Sequence, residues 1–447
     1  MSQGINRRQF LSRGVASGVA LKWAMAAPAA WGEDDTPPED RLAIGVIGVG
    51  ARSPDLVQGV LAAGGTEVVG VCDAYRGRVE RALYELDGKA RDYGDYRRIL
   101  EDPGIDAVII ATPDHLHKRQ VVEALQAGKD VYCEKPLTYA IDEGLEIVRA
   151  VEASGRILQV GSQGISSTIQ RRARDLIASG RLGKITMIRA SYNRNTAEGA
   201  WIYPIPPDAS PETVDWESFL GDAPMRPFDL ARFFRWRCYS DYSGGIATDL
   251  FVHLCTTIHF LMGARMPKRV LAAGQLYRWT ESRDVPDTLN GILEYPEGFT
   301  VNISSTFNNQ SSSGAGFEIL GTEGSLRLGD GIELAAEHPV EGNAWVVRTW
   351  PRELEDAYWA DPEVQKRERP DTWPADTYTS REVIRGDGPD STQLHLERFV
   401  RAVRTREQPE EDALTGHRAA ACAHLVNLSA ARGTGVEWDF DRETLRA

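Results

Sequence analysis

Arg41 to Gly65 reads RLAIGVIGVGARSPDLVQGVLAAGG, and three features of it decide the fold. Leu42 to Ile47 is an unbroken apolar run, the pattern of a strand buried on both faces. Gly48-Val49-Gly50 breaks the run. Ser53-Pro54-Asp55 then opens a helix, with a capping hydroxyl, a proline at the first helical position and an acid in the first turn. Strand, glycine turn and helix in this order are the setting of a dinucleotide fingerprint, where bare backbone and a helix N-terminus receive a pyrophosphate. Ser53 stands where the third glycine of GxGxxG would be, and is small enough to keep helix and strand close.

Working outward, a second strand, EVVGVCD, ends at Asp73. An acid about 20 residues past the glycine turn suits the ribose hydroxyls of NAD and repels the 2′-phosphate of NADP. Arg76 and Arg78 lie close enough in sequence to pair with such a phosphate, and Asp73 could instead cap the next helix. The rhythm continues through a strand from Ala107 to Ala111 ending at Thr112-Pro113, a helix with Val121, Val122 and Leu125 inward, and a strand from Val131 to Cys133. A helix in Thr138 to Gly155 and a strand in Arg156 to Gln163 close the unit. Alternating strands and helices predict a parallel, doubly wound α/β sheet, in which ligands collect at the carboxyl ends of the strands. Gly48, Asp73, Thr112, Lys135 and Gln163 all stand at those ends.

A second constellation lies in SDYSGGIATDLFVHLCTTIHFLMGA. Ala247 to Met262 has helical apolar spacing, so Asp249 and His253, at i and i+4, share a face. Gly244-Gly245 ahead of it lets backbone and a bulky ligand approach. A helix-dipole acid and a satisfied histidine would look the same in isolation.

The bulk numbers exclude several classes. The chain has 447 residues, enough for two or three cores, with 42% hydrophobic and 26% charged residues. A net charge of −14 without a basic block beyond the N-terminus argues against nucleic acid as a partner. Cys72, Cys133, Cys238, Cys255 and Cys422 show no CxxC spacing, and His115-x-His117 lacks the further ligands a metal site needs, so no metal is expected.

The first 31 residues read as a leader: Arg7-Arg8, Phe10-Leu11 and a weakly apolar Ala-rich run to Trp31 are similar to a twin-arginine export signal, departing from it at Asn6 and Ser12. Its removal would take away four basic residues and no acid, shifting the net charge from −14 to −18. It implies an exported chain, periplasmic or in the cell envelope, with no stable membrane insertion after processing. Residues 32–41 are an acidic, Pro-containing linker.

GVGxR, CD after the second strand, ATPxHxH, EKP and GGxxxDxxxH together resemble the Gfo/Idh/MocA (glucose–fructose oxidoreductase/inositol dehydrogenase) family from about Leu42 to the C-terminus. The resemblance implies a Rossmann-type parallel-sheet domain at 42–163. After it, at 164–447, comes an α/β substrate-binding and oligomerisation domain with a large open, mostly antiparallel sheet, assembling as a homodimer or homotetramer. It implies NAD, less readily NADP, held by Gly48, Gly50, Ala51, Arg52, Asp73, Thr112, Pro113, His117, Glu134, Lys135 and Gln163. Lys135, Asp249 and His253 match the family's catalytic residues, and which of Lys135 and His253 takes the proton stays open. Tyr192, Asn193, Arg235, Trp236 and Tyr242, with Arg237 beside them, are candidate sugar contacts: aromatic faces beside hydrogen-bonding groups. The expected function is oxidation of a hydroxyl of a sugar, cyclitol or glycoside, with NAD kept bound and recycled. Alternatives are a glycosidase or lyase working by transient oxidation, and a non-catalytic ligand-binding protein.

The remaining chain reads as strands with turns at Pro286-Asp287, Pro296-Glu297-Gly298 and Gly321 to Gly324, a polar insertion at 339–391, and two terminal helices.

Overall fold

The computed structural model describes residues 36–281, 283–310, 314–337, 343–368, 381–386 and 388–446. The leader at 1–31 and the start of the linker lie outside the described residues.

The apolar run at the start of the fold is a strand with the expected bounds, β1 (Leu42–Ile47). Beside it lie β2 (Thr66–Cys72), β3 (Arg91–Asp92), β4 (Ala107–Ile110), β5 (Asp130–Glu134) and β6 (Leu158–Gly161). Their order is β3-β2-β1-β4-β5-β6, and every pair is parallel. The order reverses between β1 and β4, which opens the crevice where this kind of sheet binds ligands. Ile44, Val46, Val108, Ile109 and Val131 are fully buried, each burial being worth roughly 1.5–3 kcal/mol.

Helix α1 (Ser53–Ala62) has its proline in the first turn, but Ser53 is the first helical residue rather than the cap. The Ser53 side chain is buried, which explains why a small residue is needed there. The helices α2 (Arg76–Glu85), α3 (Tyr96–Glu101), α4 (Asp114–Gln126) and α5 (Glu143–Ser154) complete this unit with one element from far along the chain. Leu396, Phe399, Val400 and Val403, on the helix Ser391–Thr405, join Ile44, Leu56 and Val60 in one core. A division of the chain at residue 163 is therefore not clean in space.

Among the described residues the second sheet has ten strands, in the order β14-β13-β12-β11-β7-β10-β9-β8-β15-β16. They are β7 (Ile185–Asn193), β8 (Arg269–Gln275), β9 (Thr288–Glu294), β10 (Thr300–Thr306), β11 (Gly314–Gly321), β12 (Gly324–Leu328), β13 (Gly331–Ala336), β14 (Arg381–Arg385), β15 (Val436–Asp439) and β16 (Thr444–Leu445). All pairings are antiparallel except β7 with β10. Period-two alternation puts Leu289 and Leu293 of β9 into the core and leaves Asn290 and Ile292 outside. The inner face is covered by the helices Thr168–Ala178, Val252–Met262 and Ala413–Arg432. Part of the expected polar insertion is not an insertion, because β14 hydrogen-bonds to β13 and extends the sheet.

Candidate active site

Gly48 shows why β1 must end as it does. Its φ is +87°, and a Cβ there would sit 2.9 Å from the backbone of Ala111 and Thr112 at the end of β4. Only glycine lets the two strand ends come that close. Past it, Val49 N–H donates to Asp73 Oδ2 (3.0 Å) and Tyr75 N–H to Oδ1 (2.9 Å), aiming the carboxylate at the turn. Arg78 donates to Asp73 Oδ1 (3.4 Å), and Arg76 is held by Glu212 O (2.5 Å). The two arginines that could have served a 2′-phosphate are thus engaged within the protein.

The other residues expected around a cofactor divide into those facing the crevice and those bracing it. Ala51 is exposed at the mouth of the turn, and Pro113 precedes the first turn of α4. The Gln163 side-chain oxygen is buried without a protein partner among the described residues, as an atom awaiting a ligand donor would be. Arg52 instead spans Glu134 Oε1 (2.9 Å), Asp55 (3.0 Å) and Thr392 (3.1 Å), so Arg52 and Glu134 satisfy each other. Thr112 donates to Gln120 (2.6 Å). His117 is buried with Nδ1 2.7 Å from Pro136 O and Nε2 2.9 Å from Thr112 O, tying together the loops that follow β4 and β5. The other half of the HxH, His115, faces Phe219 O at 2.8 Å, and burial lowers its pKa to about 4. The two histidines do not converge. A bare-backbone glycine turn, an acid at the end of β2 and an unsatisfied amide oxygen fit a dinucleotide.

Lys135 leaves the sheet at the end of β5, followed by a cis peptide bond to Pro136. Its ammonium donates to Asp249 O (2.9 Å) and Asp249 Oδ1 (3.0 Å). Arg237 Nε donates to the same Oδ1 at 3.0 Å. The three side chains are largely shielded from solvent. Burial would raise the Asp249 pKa, but Lys135, Arg237 and Arg194 outweigh it and hold the carboxyl far below the usual range. His253 is half-buried and has no hydrogen-bond partner among the described residues. Burial first, then Lys135 and more distant arginines, lower its pKa to about 3 against the opposing pull of Asp249. Its imidazole is neutral at neutral pH, with a lone pair able to accept a proton.

The helix that carries Asp249 and His253 starts differently from its sequence pattern. Ala247–Phe251 forms a π turn, and the α-helix runs from Val252 to Met262. Such turns recur at functional sites because they re-aim side chains. Gly245, at φ +62°, accepts the Asp249 N–H (2.9 Å). Below, the hydroxyls of Ser243 (2.9 Å) and Thr248 (3.2 Å) both donate to Asp114 Oδ2 at the start of α4. Asp114 thus docks the glycine turn of the second unit onto the first.

The candidate sugar contacts are not equivalent. Tyr192 and Trp236 are half-buried, with Arg194 over the Tyr192 ring at 4.9 Å and Arg237 over Trp236 at 4.2 Å. Asn193 Oδ1 accepts the Thr306 N–H (3.1 Å), and Arg235 Nε donates to Tyr203 O (2.8 Å), so both spend a polar group on backbone. Tyr242 is a correction. It is fully buried, packed on His115 and Phe219 with ring centroids 5.1 and 4.9 Å away, and its aromatic faces are consumed by the core. Sequence reasoning did not single out Asp114, Arg194 or Tyr203, and it named Arg237 without its partner. An ionisable Asp directly after Thr-Pro, at a buried helix start, was the available signal for Asp114.

With this geometry in view, the chain can be set beside known proteins. Residues 42–162 match the model described as oxidoreductase family, NAD-binding Rossmann fold, and residues 218–327 match the GFO/IDH/MocA C-terminal domain. An uncharacterized oxidoreductase of Rhizobium meliloti is 32% identical over 290 residues, covering 65% of this chain and 75% of that protein. The 1,5-anhydro-D-fructose reductase of Ensifer adhaerens is 27% identical over 285 residues, 63% of this chain and 74% of the relative. The scyllo-inositol 2-dehydrogenase (NAD(+)) of Bacillus subtilis is 27% identical over 268 residues, 59% of this chain and 67% of the relative. Among solved structures, a levoglucosan dehydrogenase in complex with NADH and levoglucosan aligns with a TM-score of 0.64 at 20% identity, covering 89% of this chain and 99% of that one. Matched along both units and by a relative of 32% identity, the chain belongs to the Gfo/Idh/MocA family of NAD-binding oxidoreductases.

Proposed function

We propose that the protein oxidises a hydroxyl of a sugar, cyclitol or glycoside. The observation that carries the reading is the meeting of Lys135, Asp249 and His253 at the carboxyl edge of the parallel sheet, beside the reversal of strand order. When bound, NAD supplies the hydride acceptor. The neutral His253 imidazole can take the hydroxyl proton, and the Lys135 ammonium can donate to the same oxygen as negative charge develops on it. Asp249 holds the Lys135 ammonium in place through its carboxylate. That relatives act on anhydrofructose and scyllo-inositol supports a polyol substrate.

The leader carries the proposal further. A twin-arginine substrate crosses the membrane folded, so NAD would be loaded inside and, with no free pool outside, regenerated within each cycle or by a second substrate. Among the described residues no helix is long and apolar enough to cross a membrane. Changing Arg7 and Arg8 to lysine is expected to retain the full-length chain inside the cell, read by fractionation; undiminished export would remove this part of the proposal. Assembly into a homo-oligomer is supported by the uncovered outer face of the second sheet, where exposed Leu271 and Ile292 lie opposite each other on β8 and β9.

The direct test is to purify the processed protein and measure co-purifying NAD(H). Added sugars and glycosides should then change the near-ultraviolet absorbance of the bound nicotinamide. Release of aglycone without net NADH would mark the hydride-returning glycosidase mechanism. A protein that never binds NAD would sink the reading.

A further inference from the structure

The cleft around Lys135 carries more positive than negative charge. Asp249 Oδ1 is shared by Lys135 Nζ and Arg237 Nε, so one carboxylate faces two cations at 3.0 Å each. Arg194, half-buried over Tyr192, is a third cation, and its side chain donates to a carbonyl, Gly199 O (3.2 Å), which leaves its charge unmatched among the described residues. Arg52 does not count, since Glu134 and Asp55 match it. The acids that face the cluster are few. Asp114 lies underneath, where burial pushes its carboxyl toward the neutral form and two hydroxyls occupy one of its oxygens. Glu198 sits on the exposed loop beyond Arg194, where water screens it. Even with Asp114 ionised, the cations Lys135, Arg237 and Arg194 outnumber Asp249 and Asp114. This local excess runs against a chain whose net charge is −14.

Arg237 also has an unused face. Only its Nε makes a hydrogen bond among the described residues, while Nη1 and Nη2 have no protein partner. The guanidinium is stacked on Trp236 at 4.2 Å, and a quarter of the side chain stays open. A planar, pre-aligned pair of N–H donors beside an excess of positive charge is the arrangement that receives a carboxylate in a bidentate manner.

We infer that the substrate is a sugar acid, an aldonate or uronate, whose carboxylate binds the Nη1/Nη2 edge of Arg237 while a hydroxyl elsewhere on the same molecule reaches Lys135 and His253. The inference rests on the reading of this cleft as the substrate site. Arg237 then selects the substrate and orients it, and takes no proton in the reaction.

The test uses the purified, cofactor-bearing protein with D-gluconate, D-glucuronate and D-galacturonate against D-glucose, D-galactose and myo-inositol. Two readouts run in parallel: the nicotinamide absorbance change and the shift in thermal unfolding on adding each compound. At least one acid is expected to exceed its neutral counterpart in kcat/KM by about 10- to 100-fold. Arg237→Met should erase that preference by raising KM for the acids far more than for the neutral sugars, while whatever loss passes through Asp249 falls on kcat for both classes alike. Arg237→Lys, which keeps the charge and loses the fork, should recover part of it, and it serves as the second variant if Arg237→Met folds poorly. Neutral sugars reacting as well as acids, Arg237→Met lowering kcat/KM equally for both classes, or no acid producing either signal would each overturn the inference. The underlying reading fails in a different way: acids would bind through Arg237, yet Lys135→Met would leave turnover untouched.

Discussion

Lys135→Met is expected to lower kcat by roughly 10²- to 10⁴-fold while the protein keeps its bound NAD. Two local facts separate this loss from a folding defect. Asp249 retains Arg237 when the lysine is gone, so its carboxylate is not left alone in the interior. The cofactor turn is secured elsewhere, by Gly48 against Ala111 and by Asp73 on the Val49 and Tyr75 amides. On the proposed mechanism, loss of the ammonium removes a donor to the developing charge, and it also relieves the cationic field on His253, so that the imidazole pKa climbs from about 3. The pH profile of any residual activity should therefore move its acid limb upward. Lys135→Arg keeps a charge on a longer, planar group and should restore only part of the rate. Steady-state kinetics and the ratio of NAD to protein are the measurements. Full turnover in Lys135→Met, with lowered stability, would mean that Lys135 only braces Asp249.

How much of this could be read in advance depends on whether the deciding interaction is local. The strand Leu42–Ile47 and its glycine turn were legible because burial on both faces and a positive φ leave a direct mark on residue type. The helical stretch that carries Asp249 and His253 was legible from its apolar spacing. The π turn beneath Asp249 was not, since it follows from how Gly245 and the Asp114 hydroxyl bonds seat that segment on the first unit. Arg237 illustrates the same limit: twelve residues before Asp249, its function as ion partner has no period to reveal it. Tyr242 went the other way, an aromatic beside polar residues that the core took up entirely. The strand Arg381–Arg385 escaped notice because, at the sheet edge, it is held by backbone bonds to β13 and needs no apolar alternation.

Asp249→Asn should produce the largest stability change of any single substitution in the cleft. The amide fits the space, but it leaves the Lys135 ammonium and the Arg237 guanidinium facing a neutral group. With those side chains only 11% and 25% exposed, solvent does little to screen them. Breaking a buried pair in this way costs about 3–5 kcal/mol. The sign of the pH dependence follows from the depressed pKa. In the native protein Asp249 stays ionised well below the ordinary carboxylate range, held there by Lys135 and Arg237 against the effect of burial. The unfolded chain takes up the proton first as pH falls, at about pH 4. The stabilisation from Asp249 is thus complete at neutral pH and drains away on the acid side. Urea unfolding across that range should show the gap between native and Asp249→Asn protein widest near neutrality and narrowing below about pH 4. A gap independent of pH would assign the loss to packing or to the helix turn, and would leave the charge on Asp249 without the structural role that the two cations imply.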